Sequence, residues 1–212
     1  MVQSNFDAWS NSSPSINISE YDPMIVWWDN VLDVNFCRRC IRKFNNDEAN
    51  QLDGHTFGGY RPEIKQSKDL AISKHAHWKE EDAKLFVTLG EYLTHYSKYC
   101  NENFGMTVYA NQDSGYQIQK TVPGGFYHWH HDGHFRGKGD ARVLTYIWYL
   151  NTCQKGNTEF SCGESIEPKL GRLLLFPSTW DRIHRGTPPE TVKYICTGWM
   201  YENTNYDETP TE

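Results

Sequence analysis

After Gly105 the chain becomes a succession of short segments rich in β-branched and aromatic residues. They read YQIQK (116–120), GGFYHW (124–129), RVLTYIWYLN (142–151), NTEFS (157–161), GRLLLFPS (171–178) and TVKYICTGWMY (191–201). Gly, Pro and Asn punctuate them, which is the pattern of strands joined by tight turns. Many strands at such spacing argue for a sandwich or jelly roll, with any helices supplied by the N-terminal third. That third contains two helix patterns. Asp33 is placed to cap a helix from about Val34 to Phe44. Leu85, Phe86, Leu89, Tyr92, Leu93, Tyr96 and Cys100 form a stripe at helical spacing over about four turns. Met24–Trp28 (MIVWW) reads as a strand. Residues 45–76 show little periodicity, and long irregular segments inside compact domains tend to be lids or binding loops.

The expected class is therefore α+β, mainly β. A loose N-terminal arm (1–22) precedes a single domain (23–202), with helices in about 33–100 and a jelly-roll core in about 106–202. A short acidic tail (203–212) follows. Aromatic residues make up 15% of the 212 residues, which fits an aromatic β-rich interior and not a disordered chain. The net charge of −6 with no basic block argues against a nucleic-acid partner. The start MVQSNFDAWSNSSPS has neither a basic n-region nor an apolar run, and no apolar stretch approaches a membrane span, so a soluble, cytoplasmic protein with no membrane contact is expected. Six cysteines are scattered. The pair in FCRRCIRKF shares a helical face with Phe36 and Phe44 and lacks the second pair a zinc site would need, so packing of free thiols is expected.

The stretch YHWHHDGHF (127–135) holds four of the nine histidines and one aspartate. On an extended chain residues i and i+2 face the same way, so His128, His130 and Asp132 share a face and His131 points elsewhere. His130 and Asp132 supply an imidazole and a carboxylate. The only histidine downstream of His134 is His184, just before the last strand, where a jelly roll returns it beside them. Two histidines and one carboxylate form the facial triad of non-haem Fe(II), which leaves open positions for a cosubstrate and O₂. A rival set, His128, His130 and His184, suits a cupin-type metalloenzyme working without such a cosubstrate. A jelly-roll binding module without turnover is a third reading. Lys193 interrupts an otherwise apolar strand, VKYICTGW, and there it either snorkels outward or neutralises an anion inside the barrel. With the His-x-Asp…His frame, a dicarboxylate held by Lys193 and a phenol is the natural candidate.

Residues 116–201 resemble the 2-oxoglutarate/Fe(II)-dependent oxygenases, in particular the prolyl 4-hydroxylase branch that includes the collagen and hypoxia-inducible-factor prolyl hydroxylases. Gln117, Gly124, Gly125, Tyr127, His130 and Asp132 keep that branch's spacing, and PKLGRLLLFPSTWDRIH keeps its run from a Pro-Lys turn to the distal histidine. The resemblance implies a double-stranded β-helix (a cupin-like jelly roll) and a hydroxylase. It implies Fe(II) on His130, Asp132 and His184, and 2-oxoglutarate near Lys193, Tyr149, Tyr127 and Thr197. It further implies decarboxylation to succinate and CO₂, ascorbate as reductant, and a peptide or protein substrate hydroxylated at proline. Trp199 would line the substrate side, and Arg61 and Lys65 would clamp a peptide, although charges in such a loop are commonly solvated. His131 and His134 are expected to be dispensable.

Overall fold

The computed structural model describes residues 14–136 and 140–203. Residues 1–13 of the expected arm, 137–139 of the loop after the histidine cluster, and 204–212 of the expected tail lie outside the described residues. The N-terminal part supplies β1 (Asn17–Ile18), β2 (Val26–Trp28) and helix α1 (Val34–Asn46). Short strands β3 (Leu52–Asp53), β4 (His55–Thr56), β5 (Gly59–Tyr60) and β6 (Lys68–Ala71) follow, then helix α2 (Lys79–Phe104). The remainder runs β7 (Gln112–Asp113), β8 (Gln117–Thr121), β9 (Tyr127–His130), β10 (Phe135–Arg136), β11 (Asp140–Tyr149) and β12 (Thr158–Phe160). It ends with β13 (Ser165–Ile166), β14 (Leu173–Pro177), β15 (His184–Gly186) and β16 (Lys193–Asn203). No helix among the described residues is long and apolar enough to cross a membrane.

Both helices begin and end as their residues dictate. The Asp33 carboxylate accepts from the backbone N–H groups of Asn35 and Phe36, filling two of the orphan donors of α1. Phe36, Cys37, Cys40 and Phe44 form its buried face, and burial pushes both thiols up to about 12, so they pack as inert apolar groups. Helix α2 carries Glu80, Glu81 and Asp82 at its positive end and stops at Gly105, whose φ of 64° is left-handed. Glu81, 2% exposed, receives Arg39 and Lys43 from α1, which ties the helices together.

The strands form two main antiparallel sheets. The larger has the order β1-β2-β14-β11-β16-β8-β6-β3, and the smaller the order β13-β12-β15-β9. The central strands of the larger sheet are buried on both faces, and alternation sorts their side chains between two cores. Leu144, Tyr146 and Trp148 of β11, Leu173 and Leu175 of β14, and Cys196 and Met200 of β16 pack with the helices. Ile147 and Tyr149, Leu174 and Phe176, and Ile195 pack on the opposite face with Phe160 and Ile166 of the smaller sheet. Each such large apolar side chain stabilises the fold by roughly 1.5–3 kcal/mol. The six strand segments read from the sequence all appear, close to their expected limits.

Two expectations need correction. Residues 45–76 are not wholly irregular, because β6 pairs with β8 and extends the larger sheet. The strand signal was missed because KDLA (68–71) is short and opens on two charges. The arm is not wholly loose either, since β1 pairs with β2.

Gly198 is tightly held in β16: a Cβ there would collide with the Tyr146 hydroxyl and the Gly115 carbonyl oxygen. Gly198→Ala is expected to cost about 1–3 kcal/mol by overpacking, read as a fall of roughly 3–10 °C in melting temperature.

Candidate metal and anion site

The smaller sheet brings the distant histidine home. In the β9–β15 pair, His184 lies opposite His130. The register between these strands then slips, because Gly186 pairs with Tyr127, so β9 contains one residue more than β15 over the same span. This bulge breaks simple alternation. Tyr127 and His130, three apart, come to the same side and stack at 3.5 Å between ring centroids. His128 is thrown outward, exposed, with its ring against Phe126. The expectation that His128 shares a face with His130 and Asp132 is therefore overturned, and the cupin-type set using His128 goes with it.

His130, Asp132 and His184 offer ligand atoms that all lie within 4.8 Å of one another, and this is the only such group of metal-ligating type among the described residues. Nε2 of His130 lies 3.7 Å from Asp132 Oδ1, and Nε2 of His184 lies 3.5 Å from Oδ2. The Nδ1 atom of each imidazole faces a backbone carbonyl, of His128 at 2.8 Å and of Arg182 at 3.0 Å. A carbonyl only accepts, so each Nδ1 carries a proton and each Nε2 is the atom turned toward Asp132. Burial and the neighbouring His184 hold the His130 imidazole well below its ordinary range. Burial opposes ionisation of Asp132, but His184, His130 and the Thr145 hydroxyl outweigh it, and its carboxyl lies below the usual range. Two imidazole nitrogens and one carboxylate with its charge retained suit a divalent cation with open positions.

The surrounding shell fixes this geometry. Thr145 donates to Asp132 Oδ2 at 2.8 Å and bonds Ser178 at 2.9 Å; both residues are 1% exposed. Phe176 and Phe160 pack against the His184 ring. Thr145 lies on the face of β11 that looks toward the smaller sheet. A second bulge, where Arg142 pairs with Tyr201 but Leu144 with Met200, inserts Val143 and frees Arg142 from the helix side. Its guanidinium stacks 3.7 Å over the Trp199 ring.

Lys193 has the same parity as Ile195, Thr197 and Trp199, so it points between the sheets, and it is 5% exposed. Its ammonium donates to the Gly156 carbonyl at 2.6 Å, and no carboxylate pairs with it among the described residues. Burial lowers its pKa to about 8. A buried cation with one neutral acceptor is costly unless an anion joins it. It lines an inner cavity of about 70 Å³ together with Thr158, Thr197, Tyr127 and all three members of the His–Asp–His group. An outer cavity of about 660 Å³ adjoins the group, walled by Phe57, Trp129, His131, His134, Arg142 and Trp199.

The other expected site residues divide. Tyr127 and Trp199 line both cavities, and Thr197 lines the inner one while its hydroxyl donates to the Tyr146 carbonyl at 2.8 Å. Burial, then the Asp132 carboxylate, raise the Tyr127 phenol above its ordinary range, so it remains a donor. Tyr149 does not line the cavity. Its phenol bonds the Thr158 hydroxyl at 2.7 Å inside the core, and Thr158 lines the cavity in its place. Arg61 lines neither cavity; its half-exposed side chain pairs with Glu63 on the surface. Lys65, by contrast, is 4% exposed and lines both cavities, against the expectation of a solvated loop. His131 is exposed at the outer cavity, and His134 packs on Phe57 at 4.1 Å.

Fold and donor set together suit a mononuclear non-haem metal ion beside a cavity with a buried cation. Residues 116–201 match the family model of the 2OG-Fe(II) oxygenase superfamily. The matched segment contains His130, Asp132, His184 and Lys193. Among curated proteins no sequence matches this one. Three solved structures share the fold at low identity. A viral collagen prolyl hydroxylase from Paramecium Bursaria Chlorella virus-1 is 18% identical, with a TM-score of 0.60 over 84% of this chain and 95% of its own. A Pseudomonas putida prolyl-4-hydroxylase is 16% identical, with a TM-score of 0.61 over 84% and 92%. A Trichoplax adhaerens prolyl hydroxylase, solved with a hypoxia-inducible-factor peptide, is 19% identical, with a TM-score of 0.66 over 84% of each chain.

Single replacement of His130, Asp132 or His184 by Ala is expected to weaken Mn(II) binding at least about 100-fold in equilibrium dialysis. Thr145→Val, which removes the donor to Asp132, is expected to weaken it roughly 10- to 100-fold. His128→Ala and His131→Ala should bind as the parent does; loss of metal in His128→Ala would restore the cupin-type set, and loss in His131→Ala would overturn the three-residue assignment.

Proposed function

We propose that this protein is a 2-oxoglutarate- and Fe(II)-dependent hydroxylase acting on a prolyl residue of a peptide or protein, with its two sheets forming a double-stranded β-helix around the site. The observation that carries this reading is the unpaired, buried Lys193 ammonium in the same cavity as the His–Asp–His group. His130, Asp132 and His184 would hold the metal. Lys193, with the Thr158 hydroxyl beside it, would take the far carboxylate of the cosubstrate, and the Tyr127 phenol would remain protonated as a donor. Bound Fe(II) with 2-oxoglutarate and O₂ supplies the oxidation, giving succinate, CO₂ and a hydroxylated substrate. The protein's part is to orient and to exclude water. Phe160, Phe176 and Ile147 dry one side of the metal group, while Thr145 keeps the carboxylate ionised and directed.

The peptide class is supported by the lining of the outer cavity. Phe57, from the turn between β4 and β5, and the stacked Arg142–Trp199 pair both line it. A flat aromatic wall beside a guanidinium suits a ring flanked by main-chain carbonyls. The Trichoplax relative holds a peptide. Ascorbate would serve as reductant. All six cysteines are free, which favours a reducing compartment such as the cytoplasm.

The direct test is a proline-containing peptide panel incubated with Fe(II), ascorbate and 2-oxoglutarate. One peptide should gain the mass of one oxygen with matching succinate; binding of 2-oxoglutarate without any succinate would leave a binding module. The kcat/KM for 2-oxoglutarate should fall as pH rises through about 8, because the free protein's Lys193 is cationic below that value and neutral above it. Lys193→Arg should bind more weakly at neutral pH, since geometry changes, but should lose this alkaline limb.

A further inference from the structure

Two buried lysines line the inner cavity, and Lys193 accounts for one. Lys65 differs from it in a way that points to a different ligand. It lines the outer cavity as well as the inner one, whereas Lys193 lines only the inner. We propose that Lys65 is a substrate-binding residue, whose ammonium donates a hydrogen bond to a carbonyl or carboxylate oxygen of the substrate where the outer cavity opens into the inner one. This rests on the hydroxylase reading above and names a contact by which that site selects its substrate.

Lys65 is fixed in place from several directions. Lys65 forms a β-bridge with Tyr127. The Gln66 N–H donates to the Phe126 carbonyl at 2.8 Å, and the His128 N–H donates to the Ile64 carbonyl at 2.9 Å. The segment 64–66 is thus strapped along β9, next to the bulge that carries Tyr127 and His130. The aliphatic stem is confined too, since a Cβ added at Gly54 would stand 3.1 Å from Lys65 Cε. The ammonium lies 5.3 Å from the Tyr127 ring centroid, over the residue that stacks on His130. It is therefore aimed, not swinging.

Its donors are only partly used. Nζ donates to Asp69 Oδ2 at 2.6 Å, the one hydrogen-bond acceptor it has among the described residues. An ammonium has three N–H groups, which leaves two for a ligand. Asp69 is committed elsewhere as well. Its Oδ1 accepts from Ser67 at 2.7 Å and its Oδ2 from Gln117 at 2.8 Å. Asp69 is thereby a positioning residue that holds the cation at the junction without using up its donors. A buried ion pair is weak support for stability by itself, since hydrophobic replacement is often neutral or better. A pair that keeps unused donors on a residue lining two cavities is better explained by a ligand acceptor there.

The experiment uses Lys65→Met, Lys65→Arg and the paired Lys65→Met/Asp69→Asn, the last to avoid leaving a lone buried carboxylate. The probe is the panel peptide that gives the parent protein its highest succinate yield, with free L-proline and a peptide ending in proline alongside. Peptide affinity is read by quenching of tryptophan fluorescence in the Mn(II)-loaded protein, and KM is read separately for peptide and for 2-oxoglutarate. Loss of a charge-assisted hydrogen bond should raise peptide Kd and KM roughly 10- to 100-fold in both Met variants. The KM for 2-oxoglutarate should change less than threefold, and Lys65→Arg should recover part of the peptide affinity. A loss confined to free proline and the proline-terminated peptide assigns the acceptor as a carboxylate; an equal loss for internal proline assigns it as a main-chain carbonyl. If the 2-oxoglutarate KM rises instead, or if all three variants bind peptide as the parent does, the inference is wrong while the hydroxylase reading stands. If the parent releases no succinate with any probe, both fall together.

Discussion

His130 and His184 are 54 residues apart in the chain and directly opposite each other across the β9–β15 pair. Closing a loop of that length costs on the order of 3–4 kcal/mol in chain entropy beyond a constant, so the pairing must be held by what surrounds it. That support is apolar. β15 also pairs with β12, which sets Phe160 opposite His184, and Phe176 of β14 packs edge-on against the same ring. The donor cluster is thus an extension of the inter-sheet core, and it is only as rigid as Phe160, Phe176, Leu174 and Ile147 make it. Asp132 joins from the chain just beyond β9 and is trimmed into place by Thr145, which β11 delivers from the larger sheet. One strand pair and one cross-sheet hydroxyl define the centre.

The larger sheet performs two tasks because it is covered on both faces. Every second residue of β11, β14 and β16 feeds the helix-side core, and the intervening residues feed the inter-sheet space. Lys193 stands in the second set with Ile195, Thr197 and Trp199, which explains how a lysine is tolerated in so apolar a strand: the face it occupies is a cavity wall. The two bulges adjust this arithmetic where the site needs an exception. In β9 the extra residue puts Tyr127 over His130 and expels His128. In β11 the extra Val143 leaves Arg142 free to cover Trp199. Both sit where the sheets meet the groove.

This explains what the residues disclosed and what they withheld. Strands with β-branched and aromatic residues between Gly and Pro were legible because their composition is set locally, and Asp33 marked a helix start for an equally local reason. The three metal-type donors were legible because His-x-Asp and a lone downstream histidine are few enough to sort. The bulge in β9 was not, since two-residue periodicity assumes a regular ladder, and it assigned His128 to the wrong face. Tyr149 was placed against the cosubstrate by resemblance, but its phenol is intercepted by Thr158. Arg61 and Lys65 looked alike in sequence, two cations in one irregular segment. Only the strapping of 64–66 along β9 buries one while the other pairs with Glu63 outside. Long-range pairing decides that difference, and no local pattern encodes it.

The charges around the inner cavity form a set that makes sense only when loaded. Asp132 contributes one negative charge beside two imidazoles, of which His130 is kept neutral by burial and its neighbour. Lys193 contributes one positive charge that meets only a carbonyl. Lys65 and Asp69 cancel. The bare cavity is therefore close to neutral, but its opposite charges face different parts of it and do not pair. A divalent cation on the His–Asp–His group would leave the cavity with two excess positive charges. A dicarboxylate spanning from the metal to Lys193 would restore balance, placing one carboxylate at each end. Low-dielectric surroundings make any other loading expensive, because a monoanion leaves one buried charge unmatched and a neutral ligand leaves two. On this argument the preference for a dicarboxylate follows from the separation of Asp132 and Lys193 within one cavity, before any shape complementarity is considered. It also accounts for the balanced pairing of Lys65: a third uncompensated cation would upset that match, whereas a lysine already neutralised by Asp69 can offer hydrogen bonds to a neutral carbonyl without changing the total.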